Sequence, residues 1–167
     1  LDHGIVNLET NYYWENGKLL IDDHVVSEAD KDHHFEWLSV EGILVNSSNI
    51  GTSKIAFDLG FPKLMDSFEK FHLTSKTGIE NSAESNGIFQ DDDDFSQLRL
   101  SNMSFGQGIA TTGVQILAAY GAIANDGVWV APTFLKNKKT HTKRVISENT
   151  AKLLQTSLVK VVTEGTG

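Results

Sequence analysis

The chain has 167 residues, of which 40% are hydrophobic and 22% charged, and this is the size and composition of one globular domain. Its formal net charge of -8 argues against a nucleic-acid partner, because phosphate contacts need clustered Lys and Arg, and it also disfavours adsorption to anionic lipid. The chain has no cysteine, which excludes disulfides and thiolate catalysis. Neither end resembles a natural terminus, so we expect residues 1–167 to form a single partial domain.

The first predicted element is a β-hairpin over residues 11–26. Aromatic and apolar residues flank Asn16-Gly17, and an Asn-Gly pair between such runs is a strong hairpin signal. The polar and charged residues 28–35 predict a surface loop after it.

Helices are predicted next, on either side of a short polar run. Ser39 can cap a first helix, and the apolar pattern resumes after three small polar residues to stop at Gly60. A proline shortly after this glycine fits the first turn of a further helix over residues 62–71.

The second half combines an irregular segment with two capped helices. Residues 77–107 are rich in Gly, Asn and Ser and are expected to be irregular. Thr112 and Gln115 have the spacing of a capping box, and we expect the Ala-rich helix that follows to be buried on most sides. A short extended segment and a basic exposed hairpin or loop precede an amphipathic helix over residues 147–162. Its inward-facing residues are expected to be Leu154, Leu158, Val161 and Val162.

The polar run Ser47-Ser48-Asn49, called the triplet below, is the first candidate for a functional site. Ser and Asn are poor residues inside a helix because their side chains compete for backbone hydrogen bonds. As an S-x-N pattern, the triplet would let Ser47 and Asn49 point together into a cleft. A Ser- and Asn-rich break between two helices is the alternative, and on the triplet alone it is the stronger interpretation.

The triplet opens an ordered series of sequence blocks. SSNIGTSKIAFDLG is followed by TGI at residues 77–79, by Glu84 and Gly87, by SFGQGIATTGVQILAAYGAIANDGVWVAP, and by RVISENTAKLL and VVTEGTG. In this order and spacing the chain resembles the transpeptidase domain of class B (monofunctional) penicillin-binding proteins, the peptidoglycan D,D-transpeptidases of cell division and cell elongation. The resemblance covers nearly the whole chain and is most specific over residues 104–132.

The resemblance implies the α/β penicillin-binding transpeptidase (β-lactamase-like) fold. Because the sheet of that fold comes mostly from flanking segments, this part is expected to be mostly α-helical with one or two small β-hairpins. The catalytic motifs of the family follow the order S-x-x-K, S-x-N and K-[ST]-G. Only the S-x-N lies in its expected place, so the chain is expected to start just after the first motif and to end just before the third.

The resemblance also implies residue roles. Ser47 would relay a proton between the catalytic lysine and the reacting amine, and Asn49 would position that lysine and the substrate amide. Both are predicted catalytic residues. Support of the substrate cleft is expected from Ser48, Gly106, Gln107 and Gly108. From the residues alone, a glycine-permitted turn is the better interpretation of the G-Q-G run.

Two literal matches to the missing motifs are rejected. Ser67 begins an S-x-x-K run, but it follows the triplet and shares a polar helix face with two lysines, so no desolvated neutral lysine is available as its base. Lys76-Thr77-Gly78 spells K-T-G, but polar residues follow where an apolar strand is needed. The resemblance instead indicates a loop formed by Thr77, Gly78, Glu84 and Gly87.

No cofactor and no metal site are expected. A group of histidines and aspartates lacks the ligand spacing of a zinc site, so a solvated polar loop is the better interpretation. Its members are His24, His33, His34, Asp22, Asp23, Asp30 and Asp32. The run Asp91 to Asp94 lacks the Gly and the distal Glu of an EF-hand.

The resemblance implies that the parent protein cross-links peptidoglycan through a serine acyl-enzyme and binds β-lactams, while this chain alone is inactive. Its partners would be the stem peptide, β-lactam antibiotics and other cell-wall synthesis proteins. Its place would be the outer side of a bacterial cytoplasmic membrane. Two alternatives stay open: a non-catalytic scaffold relative in the division machinery, and a β-lactam sensor or β-lactamase of the same superfamily.

Overall fold

The computed structural model describes residues 1–30, 34–89 and 96–167. The helices are α1 (Val40–Val45), α2 (Asn49–Leu59), α3 (Phe61–Lys70), α4 (Gln97–Ser104), α5 (Gly113–Ala124) and α6 (Glu148–Glu164). The strands are β1 (Asn11–Tyr13), β2 (Lys18–Ile21), β3 (His24–Ser27), β4 (Trp37–Ser39), β5 (Ile88–Phe89), β6 (Ile109–Ala110), β7 (Val128–Val130) and β8 (Thr142–Arg144). They form antiparallel pairs, β1 with β4, β2 with β3, β5 with β6 and β7 with β8. The expected mostly helical region with small hairpins is confirmed.

The hairpin expected around Asn16-Gly17 is wrong in its position. The run Glu15–Gly17 forms a single 3-10 turn, and a Cβ on Gly17 would lie 2.9 Å from Cη2 of the Trp14 indole that packs on this turn. The packed indole turns the chain away, so β1 pairs with β4 and not with β2. The hairpin forms between β2 and β3 instead, where Asp22 adopts φ 51 in the turn.

The core consists of three clusters of buried apolar residues. One joins α2, α3 and α4 through Ala56, Leu64, Leu100 and Met103. A second joins α5 to β7 and to the residue after β8 through Ala118, Ala122, Trp129 and Val145. A third joins the residue after β1 to β4 and α1 through Trp14, Leu38 and Ile43, and Ile55 of α2 packs against it. Because α2 contributes to two clusters, its N-terminus is held firmly in the fold.

Helices α1 and α2 are in close contact. The Ser39 hydroxyl caps α1 by accepting a hydrogen bond from Gly42 N at 3.0 Å, as expected. Gly51 lies at the contact, where a Cβ would overlap the side chain of Ile43. Helix α2 ends before Gly60, whose φ is 79, and this expected stop is also confirmed.

Helix α4 corrects the expectation that residues 77–107 are irregular throughout. The Ser96 hydroxyl caps it by accepting from Arg99 N at 3.2 Å, and Leu100 and Met103 bury themselves against α2 and α3. The helix is only 8 residues long. Its apolar positions are too few to reveal a helical period beside the polar residues that precede it.

The capping box of α5 is confirmed, but its expected burial is not. The Thr112 hydroxyl accepts from Gln115 N and the Gln115 side chain accepts from Thr112 N. Leu117 and Tyr120 are nevertheless 72% and 54% exposed, because the buried face of α5 is limited to Gln115, Ala118 and Ala122. In α6, Val162 is 69% exposed and corrects the expectation that it faces inward. None of the helices in the described part of the chain has the length and apolarity that a bilayer crossing requires.

Candidate functional site

The triplet forms the junction between α1 and α2. Ser48 is the N-cap of α2, which begins at Asn49. Ser47 has φ 53, a left-handed conformation that costs a non-glycine residue on the order of 1 kcal/mol. The two adjacent serines differ in exposure: the Ser47 side chain is exposed, whereas Ser48 is 3% exposed. The polar run is therefore a true break between two helices, and this break presents Ser47 outward.

A second hydroxyl lies directly opposite Ser47. Ser47 Oγ is 2.7 Å from Oγ1 of Thr166, so either hydroxyl can donate to the other. The segment after α6 comes this close because Gly165 has no side chain, and a Cβ there would overlap the Val45 carbonyl. The two hydroxyls border a cavity of about 160 Å³ that is also lined by the Trp14 indole.

Asn49 borders a different cavity. Its Nδ2 donates to the Ser27 carbonyl at 3.0 Å, which fixes the amide against the end of β3. This cavity has a volume of about 300 Å³ and is also lined by Asn102, Phe105 and Gln107. Ser47 and Asn49 thus line different cavities of this chain. Of the residues expected to support the cleft, Gln107 lies in the same cavity as Asn49.

The two glycines beside Gln107 form the expected turn. Gly106 and Gly108 adopt φ 91 and φ 78, and a Cβ on either would meet nothing within 4 Å. Gln107 N donates to the Asn102 carbonyl at 2.8 Å, which closes the turn at the end of α4. The glycines are therefore required by backbone conformation and not by a close approach to another group.

The carboxylate of Glu28 joins the triplet to the rest of the site. Its Oε1 accepts from Ser48 Oγ at 2.5 Å and from Trp14 Nε1 at 2.9 Å. Its Oε2 accepts from the backbone N–H of Asn49 at 2.7 Å, one of the donors that the start of a helix leaves without an intrahelical partner. The sequence predicts Glu28 in a surface loop. Its contacts with Trp14 and Ser48 were not predicted, because no local pattern links a residue to partners far along the chain.

The rejected S-x-x-K run is confirmed as a surface feature of α3. Ser67 Oγ donates to the Lys63 carbonyl at 2.8 Å and lies 3.2 Å from His3 Nε2. Lys70 Nζ lies 2.6 Å from Asp66 Oδ2, so this lysine is engaged with a carboxylate of its own helix.

The rejected K-T-G run is confirmed as part of a loop. The backbone N–H and the hydroxyl of Thr77 both donate to Glu84 Oε1 at 2.6 Å, and Gly78 N donates to Oε2 at 3.1 Å. Burial would raise the pKa of the Glu84 carboxyl, but these hydrogen bonds outweigh it and lower that pKa. Gly87 closes the loop where a Cβ would overlap the Ala110 carbonyl. Thr77 is 5% exposed, so its hydroxyl faces the loop interior.

Gln115 holds the same loop from the opposite side. Its Nε2 donates to the carbonyls of Ser75 at 2.8 Å and Asn86 at 3.0 Å, and its Oε1 accepts from Thr112 N at 2.7 Å. The side chain is fully buried. The capping-box spacing identified Gln115 from sequence, but its contacts to the loop were missed.

Metal binding finds no support in the residues that the structure describes. Within residues 1–30, 34–89 and 96–167, no three His, Asp or Glu side chains are grouped as a metal ion would require. Asp32, His33 and the aspartates at 91–94 lie outside the described residues.

Known proteins are similar to this chain in sequence and in fold. The family model described as "Penicillin binding protein transpeptidase domain" matches residues 1–167. Stage V sporulation protein D of Bacillus subtilis is 29% identical over 180 residues, which cover 100% of this chain and 28% of that protein. The chain therefore spans less than a third of this curated relative.

Solved structures give the same result. The apo transpeptidase (TP) domain of penicillin-binding protein 3 from Burkholderia pseudomallei superposes with a TM-score of 0.89 at 26% identity, over 98% of this chain and 49% of that one. Penicillin-binding protein 3 from Mycobacterium tuberculosis, complexed with aztreonam, superposes with a TM-score of 0.84 at 27% identity, over 96% of this chain and 38% of that one. The resemblance carried by the ordered sequence blocks is thus confirmed, and this chain belongs to the family of penicillin-binding protein transpeptidase domains.

Proposed function

We propose that this chain is the central part of the transpeptidase domain of an enzyme that cross-links peptidoglycan stem peptides. The observation that carries the proposal is the S-x-N triplet at the junction of α1 and α2, with Ser47 exposed in a left-handed conformation. Membership of the transpeptidase family supports reading this triplet as the family's second catalytic motif.

The reaction would proceed in two steps through an ester. A serine hydroxyl outside this chain attacks the carbonyl carbon of the D-Ala-D-Ala bond, the C–N bond breaks, and D-Ala leaves after its nitrogen takes up a proton. The serine now carries the acyl group. The amine of a neighbouring stem attacks this ester, forms the cross-link amide, and gives up a proton as the serine oxygen regains one.

Ser47 and Asn49 would serve this chemistry in different ways. A hydroxyl both donates and accepts, so Ser47 can pass a proton between a lysine and the leaving or incoming amine. Asn49 has one amide N–H engaged with Ser27, which sets the plane of the amide, and its other polar groups would orient the lysine and the substrate. Thr166 contacts Ser47, so a K-[ST]-G strand that follows Thr166 would run beside the triplet.

The remaining catalytic parts would lie outside this chain. The nucleophile and its lysine would precede residue 1, and the substrate-binding strand would follow residue 167. The two literal matches to these motifs within the chain have hydroxyl groups bonded elsewhere. Ser67 donates to the Lys63 carbonyl in α3, and Thr77 donates to Glu84 in its loop. The 167-residue chain is therefore expected to be inactive alone.

The ligands and location follow from the same proposal. The relative from Mycobacterium tuberculosis was solved with aztreonam, which supports β-lactam binding by the complete protein of this chain. The donor and acceptor would be peptidoglycan stem peptides, and the protein would work with other cell-wall synthesis proteins on the outer side of the bacterial cytoplasmic membrane.

Acylation kinetics of a longer form of the protein, including both flanking motifs, test the roles of the triplet. Ser47→Ala and Asn49→Ala are each expected to slow acylation by fluorescent penicillin roughly 100- to 10,000-fold, because each removes a group that acts on the reacting atoms. Ser67→Ala is the matched control and should keep the wild-type rate. Wild-type rates for both triplet variants would contradict the proposal.

Two outcomes of the same experiment favour the alternatives. A longer wild-type protein that never labels would point to the non-catalytic scaffold. Label that forms and is rapidly lost would point to a β-lactamase of the same superfamily.

A further inference from the structure

We propose that Glu28 is a positioning residue that sets the geometry of Ser47 and Asn49, an inference that rests on the proposed function. Its carboxylate accepts hydrogen bonds from three donors on two segments of the chain. These donors are Trp14 Nε1 before the first 3-10 turn, Ser48 Oγ at the helix junction, and Asn49 N at the start of α2.

Ser48 Oγ takes part in two hydrogen bonds, and Glu28 accepts the one that Ser48 donates. The Ser48 oxygen already accepts from Gly51 N at 3.0 Å, which is the usual N-cap bond, and its proton is directed to Glu28 at 2.5 Å. Glu28 therefore fixes the rotation of the capping hydroxyl. Because Ser48 lies between Ser47 and Asn49, anchoring it to Glu28 restrains the backbone from which the two neighbouring side chains leave.

The contact at Asn49 fixes the start of α2. A carboxylate at a helix N-terminus is favoured both by the unpaired N–H groups and by the helix dipole. The backbone of Asn49 is bound by Glu28 at 2.7 Å and its side chain by the Ser27 carbonyl at 3.0 Å. Two adjacent residues at the end of β3 thus hold one residue of the triplet at both its backbone and its side chain.

Burial makes the carboxylate difficult to replace. Ser48 is 3% exposed and Trp14 is 6% exposed, and a buried donor that loses its acceptor costs free energy. Removal of the Glu28 carboxylate leaves these donors without an acceptor in the interior. The structure relieves this by shifting the junction, and shifts on the order of 1 Å at a catalytic group slow reactions about 100-fold.

Glu28 acts through other residues and not on the substrate. Both carboxylate oxygens are occupied by donors from the protein. Ser47 Oγ pairs with Thr166 and the side-chain amide of Asn49 donates to the Ser27 carbonyl. The expected signature of a Glu28 variant is therefore a slower chemical step with unchanged initial binding of the β-lactam.

The geometric part of the proposal is tested on the 167-residue chain. NMR signals of the Trp14 indole N–H and the Asn49 backbone N–H report the two hydrogen bonds directly. In Glu28→Gln, both signals should move and the Asn49 N–H should exchange faster with solvent. The matched control is Glu80→Gln, because Glu80 also accepts from three protein groups but in the 133–138 turn. The control should leave both signals in place, and unmoved signals in Glu28→Gln would overturn the proposal.

The functional part is tested on the longer form of the protein. Glu28→Gln is expected to lower the acylation rate constant of a β-lactam by about 10- to 100-fold, while the dissociation constant of the preceding complex stays near wild type. Glu28→Asp, which keeps the charge, should recover part of the rate. Wild-type acylation in Glu28→Gln, or an equal loss in Glu80→Gln, would overturn the positioning role.

Two further results distinguish a variant that does not fold from a failure of the proposed function. If Glu28→Gln does not fold, Trp14→Phe removes the indole donor together with part of the packing of the third cluster, and a wild-type rate in Trp14→Phe would then count against the proposal. If the longer wild-type protein takes up no label, the proposed function fails, while the NMR result still decides whether Glu28 holds the triplet.

Discussion

Single carboxylates organise several turns of this chain at the residue scale. Glu28 holds the triplet and Glu84 holds the loop at Thr77. Glu80 holds the turn at 133–138 by accepting from Thr133 Oγ1 at 2.8 Å, from Phe134 N at 3.0 Å, and from the ammonium group of Lys138. The hydrogen bond from Lys138, followed by those from Phe134 and Thr133, lowers the pKa of Glu80 to about 2 from 4.5.

The turn at 133–138 is expected to loosen in acid. A carboxyl group with a lowered folded-state pKa stabilises the fold fully above its ordinary pKa of 4.5, and this contribution is lost as the pH falls toward about 2. An NMR titration of the Phe134 N–H should therefore show a midpoint near 2. A midpoint near 4.5 would contradict the hydrogen-bonded arrangement, and the Glu80→Gln variant should show no such transition.

The sequence reveals individual residues when their partners are close along the chain. The capping roles of Ser39 and Thr112 follow from spacing alone, because the bonded groups lie three residues apart. The triplet was found because its order among other blocks matches a family. Glu28 was missed because its partners Trp14 and Ser48 lie 14 and 20 residues away, a separation that no local pattern encodes.

At the scale of elements, the close contact of α1 with α2 places the triplet. Gly51 permits this contact, because its missing side chain leaves room for Ile43. The sequence predicted both helices and their stop at Gly60, since caps and apolar spacing are local signals. It did not predict which strands pair, because the partners of β1 and β4 are chosen by packing around Trp14 and not by the Asn-Gly turn signal.

Gly51→Ala is expected to destabilise the chain by about 1–3 kcal/mol, because the added methyl group overlaps the side chain of Ile43 and forces the helices apart. Urea unfolding measures the change in the free energy of unfolding. Gly121→Ala in α5 is the matched control, since a Cβ there meets nothing within 4 Å. The control should raise stability by about 0.5–1 kcal/mol, as replacement of an exposed helical glycine by alanine does. Equal effects of the two variants would show that α1 and α2 are not in close contact.

At the scale of the whole molecule, the chain leaves an apolar face uncovered between α5 and α6. Tyr120, Val159 and Val162 are 54%, 62% and 69% exposed, and they line a groove of about 520 Å³. Grouped exposed apolar side chains are uncommon on proteins that act as free monomers. A helical sequence pattern shows which residues are apolar but not what covers them, so the pattern alone does not predict this face.

The 167-residue chain is expected to self-associate through this face. Sedimentation velocity over a range of concentrations should show a rising mean mass, and the double variant Val159→Gln with Val162→Gln should remain monomeric. Ile88→Gln is the control, because Ile88 is 74% exposed but lies on β5, away from the groove. A monomeric wild-type chain, or an equal effect of Ile88→Gln, would contradict this expectation.

We propose that this chain supplies Ser47 and Asn49 to a serine transpeptidase whose nucleophile lies outside residues 1–167. Covalent labelling by a fluorescent penicillin, run in parallel on this chain and on the longer form with both flanking motifs, tests this directly. Label on the longer protein alone, mapped by mass spectrometry to a serine outside residues 1–167, is the predicted result. Label on the 167-residue chain itself, at Ser67 or at any other serine, would contradict it.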